Sequence, residues 1–328
     1  MRYGVACRDH ENRKNDNHSH SGLMAIARIF KFASLPCILA VVTSAPGHAS
    51  QPTVVAVDGT LCDLTRTLVG GSASVTCLVP PGGDPHSYRL KPSDRKAITK
   101  AAVVLHSGFG LSPAAKKLKT SGKVVAVGEV ALPNYRGNDP HVWHDPANSA
   151  AMVGVVADSL VAVLPPDQKA AVSARSIKAK AVLKDLGNWM SAQLRALPES
   201  QRVLVIDHQT YSHLADRYGI EQIAMLDSYT TGGVLRPSSL RKITSAVKSS
   251  GAKTIFSGFL PANKSLKRIS RQTGLPIATT PLYGEGIAPG KTAVSTATLN
   301  ICTFMKGQGG RCDQASADQL SARWLAIR

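Results

Sequence analysis

The sequence predicts an α/β protein with two lobes, each a parallel sheet covered by helices, joined by one long rigid helix. Three observations predict it. Short β-branched apolar runs alternate with helical patterns in both halves of the 328 residues, which is the grammar of parallel βαβ units. An unbroken helical pattern over residues 167–195, rich in Ala, Lys, Leu and Arg, stands between the halves. Imidazoles recur where strands or loops hand over to helices, and in open α/β sheets that is where ligands are bound. Single domains commonly run about 100–200 residues, so the length accommodates two cores. The expected divisions are a leader over 1–49, an N-terminal lobe over 50–165, a connecting helix over 166–196 and a C-terminal lobe over 197–328.

The leader is read from a short apolar run. Ile29 to Val42 is apolar, has Arg28 and Lys31 at its start, and leads to Gly47-His48-Ala49. That is the pattern of a secretory signal peptide with a small-residue cleavage site. The 23 residues before Met24 are polar, so Met24 is an alternative start. Cys37 follows Leu35-Pro36 inside the apolar run, which argues against a lipid anchor there. No later segment reaches the ~20 consecutive apolar residues that a membrane span needs. The mature chain is therefore expected to be exported, soluble and without stable membrane insertion.

From Gln51 the elements follow in order. Thr53 to Val57 reads as a buried strand and Leu61 to Val69 has helical spacing. Strand Ser74–Val79 runs into a Pro-Gly turn, then come helix 92–100, strand 102–106 and strand 123–127. Helix 147–164 stops at Pro165-Pro166. The connector of about 29 residues, interrupted only by Gly187, would span roughly 43 Å at 1.5 Å per residue. The second half repeats the alternation: strand 202–206, helix 209–218, strand 222–226, helix 237–249, strand 253–257, helix 261–273 and strand 275–279. Pro237 fits a first helical turn, and Gly251 and Gly274 are expected as helix C-caps. Helices from Lys291 and from Asp313 close the chain.

Four cysteines remain beyond the leader: Cys62, Cys77, Cys302 and Cys312. Export makes disulfides the default. Of the three pairings, the sequence-local one, Cys62–Cys77 with Cys302–Cys312, closes short loops between neighbouring elements. A thiolate zinc site is the alternative, but no Cys-x-x-Cys occurs. Without the leader the chain carries 33 basic and 18 acidic residues, or +15. Such a charge raises a nucleic-acid reading. The cations are scattered over helix faces without aromatic interleaving or a recognisable motif, which argues against one.

Six histidines follow the leader: 86, 106, 141, 144, 208 and 213. His106 at a strand end and His213, about 140° round the helix from His208, read as structural. His144 reads as an outer or additional ligand only if its turn is already helical, against the two flanking prolines. His86, His141 and His208 share one context: an acidic residue just before the imidazole, a loop, then a helix start. Neutral imidazole is a strong ligand for borderline metals, and a flanking carboxylate fixes its tautomer by accepting the other ring N–H.

Longer motifs sharpen this. Asp84-Pro85-His86-Ser87-Tyr88 with Pro92-Ser93-Asp94, and Asp139-Pro140-His141-Val142-Trp143 with Asp145-Pro146-Ala147-Asn148, resemble the signature motifs of the metal-binding solute receptors of ABC importers for zinc and manganese. His208 with Tyr211 and Ala215 to Gly219 is similar to that family's third ligand segment, and the likeness runs over about residues 53–325. The resemblance implies one metal held in the cleft between the lobes by His86, His141 and His208. It also implies a monomeric periplasmic receptor whose partner is an ABC permease in the inner membrane. Where relatives supply a fourth, acidic ligand this chain has Thr280, leaving Glu285 or water to complete the sphere. The glutamate often seen within 255–259 is missing, and the loop 128–140 lacks the family's histidine-rich tract.

Three imidazoles with no obligatory carboxylate suit Zn²⁺ in a near-tetrahedral site, whereas Mn²⁺ prefers oxygen and binds weakly in the divalent series. The expectation is a zinc receptor and not an enzyme, with a manganese or other divalent-metal receptor as the alternative. A zinc hydrolase is the rival from another class, since three histidines plus water also describe a catalytic site. Its base would be Glu285 or, more remotely, Asp227, and no His-Glu-x-x-His occurs. A third reading is a receptor whose site has decayed or changed ligand at Thr280.

Overall fold

The computed structural model describes residues 51–226, 228, 229, 231 and 236–328, which form one compact unit. The expected leader, with Met24 and Cys37, lies outside the described residues, as does Asp227. The first half alternates as the apolar pattern requires: β1 (Thr53–Ala56), α1 (Gly59–Val69), β2 (Ser74–Cys77), α2 (Pro92–Lys100), β3 (Val103–His106), β4 (Lys123–Ala126) and the short α3 (Val127–Ala131). The four strands are parallel in the order β2-β1-β3-β4. Strand side chains alternate between faces. Val54 and Ala56 accordingly join Leu61, Leu64 and Leu68 of α1 on one face, while Val55 and Val57 join Ile98 of α2 on the other. With both faces covered, β1 can be apolar at every position after its first, as its sequence is.

The second half opens with β5 (Val203–His208), α6 (Ser212–Tyr218) and β6 (Glu221–Leu226), the two strands again parallel. α7 (Pro237–Ser249) and α8 (Lys264–Thr273) cover a core of Val203, Val205, Ile223, Leu240, Leu266 and Ile269. The strands expected at 253–257 and 275–279 shrink to single bridging residues, Ile255 beside Val205 and Ile277 beside Ile255. Three hydrogen bonds carry the ladder across. It stops because Pro276 has no N–H to donate and because Ser257 and Gly258 turn away to Asp207.

Between the sheets lie α4 (Pro146–Val163) and the 30-residue α5 (Pro166–Arg195). α5 buries Val172, Ala179, Leu183, Leu186, Met190 and Leu194 against α1, α4, α9 (Ala293–Gly307) and α10 (Gln314–Leu325). At 1.5 Å per residue it is about 45 Å long, and packing along most of that length keeps it rigid. By composition α4 alone among the described helices is long and apolar enough to cross a bilayer. Its Met152, Val153, Val156 and Leu160 are instead buried in the protein core.

Helix boundaries follow their capping chemistry. Asp58, Asp145 and Asn263 accept the backbone N–H groups of Leu61, Ala147 and Leu266, and Pro146, Pro166 and Pro237 sit in first turns. Gly274 ends α8 in the left-handed conformation, as expected. Gly251 does not cap α7: Ser250 does, with extended backbone. Residue 251 is glycine for another reason, since a Cβ there would meet the Ser200 carbonyl oxygen at 1.6 Å.

Both local disulfides are present, Cys62–Cys77 between α1 and β2, and Cys302–Cys312 between α9 and the turn before α10. The chain end is tied to the first half through buried Asp63. That carboxylate accepts the Trp324 indole N–H at 2.9 Å and the Ala293 N–H at 2.8 Å, and it pairs with Arg328.

Candidate metal centre

Each Asp-Pro-His segment is a turn built by its own aspartate. Asp84 Oδ1 accepts the backbone N–H of His86 at 2.8 Å, and Asp139 Oδ1 accepts that of His141 at 2.9 Å. An Asx turn of this kind, with proline presetting the middle residue, holds the imidazole at one defined angle. The residues after each histidine lock its turn to a helix. The Tyr88 hydroxyl and the Lys91 N–H both donate to Asp94 at the start of α2. Behind His141 one turn of 3₁₀ helix, Val142–His144, is pinned to α4 because Asn148 and Ser149 donate to the carbonyls of Val142 and Trp143. The motif residues beyond the histidines are therefore the fasteners of the two turns. His208 is the last residue of β5, carried inward by an apolar strand.

The fold brings these three rings together. Their centroids lie 5.2, 5.8 and 6.2 Å apart, and His86 Nε2 is 3.1 Å from His141 Nε2. A fourth donor joins them. Glu285 Oε2 is 2.9 Å from His86 Nε2 and 3.4 Å from His141 Nε2, and Oε1 is 2.7 Å from His208 Nε2. One donor atom from each of the four residues lies within 4.8 Å of all the others. Metal–donor distances of about 2.0–2.1 Å give a tetrahedron edges of about 3.3 Å, so the cluster is close to that size as it stands.

The charges explain why it needs a cation. Asp139 Oδ1 lies 2.8 Å from His141 Nδ1, and Asp207 Oδ1 lies 3.2 Å from His208 Nδ1. An ionised carboxylate only accepts, so both Nδ1 atoms carry the hydrogen and both Nε2 atoms of neutral rings turn a lone pair inward, that of His208 within 2.7 Å of the Thr210 hydroxyl, which can donate to it. The buried Glu285 oxygens face those lone pairs, and neither accepts a well-aligned hydrogen bond. Lone pairs at such distances repel unless positive charge stands among them, supplied either by protons or by a metal ion.

Titration behaviour reflects this. Burial opposes charge on His141 and His208, but the carboxylates outweigh it. His141 is raised above its ordinary value, by Glu285 and Asp139, and His208 is raised to about 9, by Asp207 and Glu285. Burial would likewise lift the Glu285 carboxyl, yet the imidazoles around it, His141 foremost, hold it well below the usual range.

The remaining histidines stand aside. His144 is outside the donor group: its Nε2–H donates to the Gly284 carbonyl at 2.9 Å, and its ring lies against Tyr211 with centroids 4.3 Å apart. Burial, followed by the charge on His141, lowers it to about 3, so it is neutral. Its place is thus behind the loop that presents Glu285. His213 Nε2 is 3.3 Å from the Asp139 carbonyl, outside the donor group, and His106 ends β3. Thr280 is exposed and takes no part.

Glu285 is the residue that motif reasoning leaves open, and its approach is set by neighbours distant in sequence. A Cβ on Gly284 would meet Thr210 Cγ2 at 2.2 Å, and Gly286 has φ +154°, so the loop passes close only because glycines flank the glutamate. The Asn300 side chain bonds both the N–H and the carbonyl of Tyr283 and fixes the loop from α9. A signal is present in the sequence: Glu285, bracketed by glycines, is the sole acidic residue between Asp227 and Asp313.

Comparison with known proteins gives the family and the fold. Residues 54–307 match the family described as zinc-uptake complex component A, periplasmic (ZnuA). The chain is 29% identical over 262 residues to the manganese-binding lipoprotein MntA of Halalkalibacterium halodurans, covering 75% of this chain and 85% of that protein. It is 24% identical over 324 residues to the high-affinity zinc uptake system protein ZnuA of Paracoccus denitrificans, covering 84% and 94%. Among solved structures, the periplasmic zinc-binding protein TroA of Treponema pallidum shares the fold, with a TM-score of 0.74 at 23% identity over 80% of this chain and all of that one. A cluster of inward-facing imidazole and carboxylate donors, held in a two-sheet α/β fold with one long helix, accordingly sits in a chain that belongs to the ZnuA family of metal-binding substrate receptors of ABC importers.

Proposed function

We propose that the protein is a periplasmic zinc receptor that binds one Zn²⁺ through His86, His141, His208 and Glu285 and delivers it to a permease in the inner membrane. The observation that carries this reading is the inward convergence of three imidazole Nε2 atoms and one carboxylate on a common point. Three nitrogens and one oxygen at tetrahedral spacing suit Zn²⁺. The residues 50–165 and 197–328 act as the two lobes of the receptor, and the helix spanning 166–196 restricts them to small displacements. Release then proceeds by small shifts of the loop that carries Glu285.

Manganese is the second reading, favoured by the carboxylate, because two buried oxygens on one donor could both ligate a harder ion. A hydrolase is disfavoured by the same geometry. Glu285 lies among the donors, and Asp139 and Asp207 are both engaged by outer ring nitrogens, so among the described residues no carboxylate at the cluster stands free as a base. Competition titration of the chain from residue 50 with Zn²⁺, Mn²⁺ and Fe²⁺ tests the assignment. One equivalent of Zn²⁺ should bind in preference to the others, with a monomer throughout; preference for Mn²⁺ under equal competition would transfer the assignment to the second reading.

A further inference from the structure

The segment from 228 to 284 contains nine lysines and arginines and no aspartate or glutamate. Much of this charge gathers on one surface. On α8 the cations Lys264, Lys267, Arg268 and Arg271 fall at i, i+3, i+4 and i+7, one stripe of a helix, and all four are exposed while Leu266 and Ile269 face the core. α7 packs beside α8, joined to it by the Thr244 hydroxyl on Gln272 at 3.0 Å, and adds exposed Arg241, Lys242 and Lys248. Among the described residues the Arg–carboxylate pairs lie elsewhere: Arg217–Asp145, Arg323–Asp185 and Arg328–Asp63.

A second feature adjoins the stripe. The turn that leads into α8 exposes two consecutive large apolar side chains, Phe259 at 38% and Leu260 at 45%. The same turn rests on the metal centre's outer support, since the Gly258 N–H donates to Asp207 Oδ2 at 3.2 Å. A cavity of about 200 Å³ is lined both by His208 and Asp207 and by Phe259 and Pro261. The apolar tip thus stands at the rim of the metal site.

We propose that the α8 stripe, the neighbouring α7 cations and the Phe259–Leu260 tip form a contact face for an anionic phospholipid bilayer. A single-sign cationic stripe beside exposed aromatic and aliphatic side chains is the chemistry that settles into a headgroup layer. The stripe itself carries no aromatic residue on which nucleobases could stack. Its long mobile cations suit a fluid array of phosphates better than a fixed protein partner, which would call for a buried central anchor. Combined with the receptor reading, the face would hold the loaded site beside the membrane that contains the permease. The bilayer contact itself does not rest on that reading.

The test is co-sedimentation of the chain from residue 50 with vesicles. Phosphatidylcholine vesicles are compared with ones containing about a third phosphatidylglycerol, at low and at physiological salt. The protein should bind the anionic vesicles, release as salt rises, and leave the neutral vesicles unbound. Each cation near such a surface contributes about fivefold to partitioning. The triple variant Lys264→Glu, Lys267→Glu, Arg271→Glu should therefore lose at least about a hundredfold. A control triple at exposed Lys178, Lys180 and Lys184 of α5, also changed to glutamate, makes the same change in net charge and should lose far less. Phe259→Ser with Leu260→Ser should lower the binding that remains at high salt. A circular dichroism spectrum and a thermal melt like the parent's certify that each variant is folded. Failure of the parent chain to bind anionic vesicles, or equal losses in the two triples, would overturn the proposal.

Discussion

Replacing Glu285 by glutamine tests the ligand set most sharply, because it keeps the side chain's shape and removes only its charge and one oxygen. Zinc sites with four protein donors bind with about 10–16 kcal/mol, so an equal share is about 2.5–4 kcal/mol per donor. At 1.4 kcal/mol per tenfold, Glu285→Gln should weaken Zn²⁺ binding by about 10²–10³. The variant should also change how affinity depends on pH. In the parent chain the carboxylate helps raise His208 to about 9, so protons compete with the metal up to that pH. Without the carboxylate the proton is held less tightly, though Asp207 still favours it, and affinity should level off at a lower pH than in the parent. Chelator competition between pH 6 and 9 measures both effects. Binding by the variant within about threefold of the parent at every pH, too small a change for a lost donor, would refute the reasoning and leave three imidazoles and a water as the sphere.

Further outcomes rest on the same geometry. Asp139→Asn replaces the ionised carboxylate that fixes the His141 tautomer at 2.8 Å with a neutral amide that can also donate; affinity should fall about 10–100-fold, read by the same competition assay. His144→Leu deletes the donor to the Gly284 carbonyl and should weaken zinc about tenfold, a loss typical of outer supports, while His144→Gln, which retains an N–H, restores most of it. The metal-free protein should lose thermal stability between about pH 6.5 and 9, because His208 is protonated more readily folded than unfolded and that contribution disappears as pH rises through its folded value. The zinc-loaded protein should show no such loss over that range, since metal displaces those protons and unfolded histidines are already mostly neutral above about pH 6.5; parallel melts with chelator and with zinc compare them. Cys62→Ser with Cys77→Ser opens a loop of sequence separation 15 and should cost about 3 kcal/mol in denaturant unfolding.

Much of this is legible in the sequence because local chemistry and global role coincide. Asp84-Pro85-His86 and Asp139-Pro140-His141 read as turns from their residues alone, and the structure builds them from those residues, the aspartate accepting its histidine's N–H. The alternation of strands and helices and the packed helix Pro166–Arg195 likewise follow from apolar spacing. The features that escape such a reading depend on contacts between distant parts of the chain. Glu285 reaches the histidines because Gly284 passes under Thr210 and His144 grips the loop, and no local pattern encodes that meeting. The strands expected around 255 and 277 look like strands in composition. Pro276 and the pull of Asp207 on Gly258 cut their ladder to single residues, which is a tertiary effect. Gly251 misleads for a similar reason: its role is to let the Ser200 carbonyl come close, whereas a glycine after a helix usually signals a cap.

A crystal of the protein soaked in Zn²⁺ and measured at the zinc absorption edge tests the central claim most directly. A single anomalous peak should stand about 2.0–2.1 Å from Nε2 of His86, His141 and His208 and from one Glu285 carboxylate oxygen. A peak at some other cluster, or none at these four side chains at saturating zinc, would contradict it.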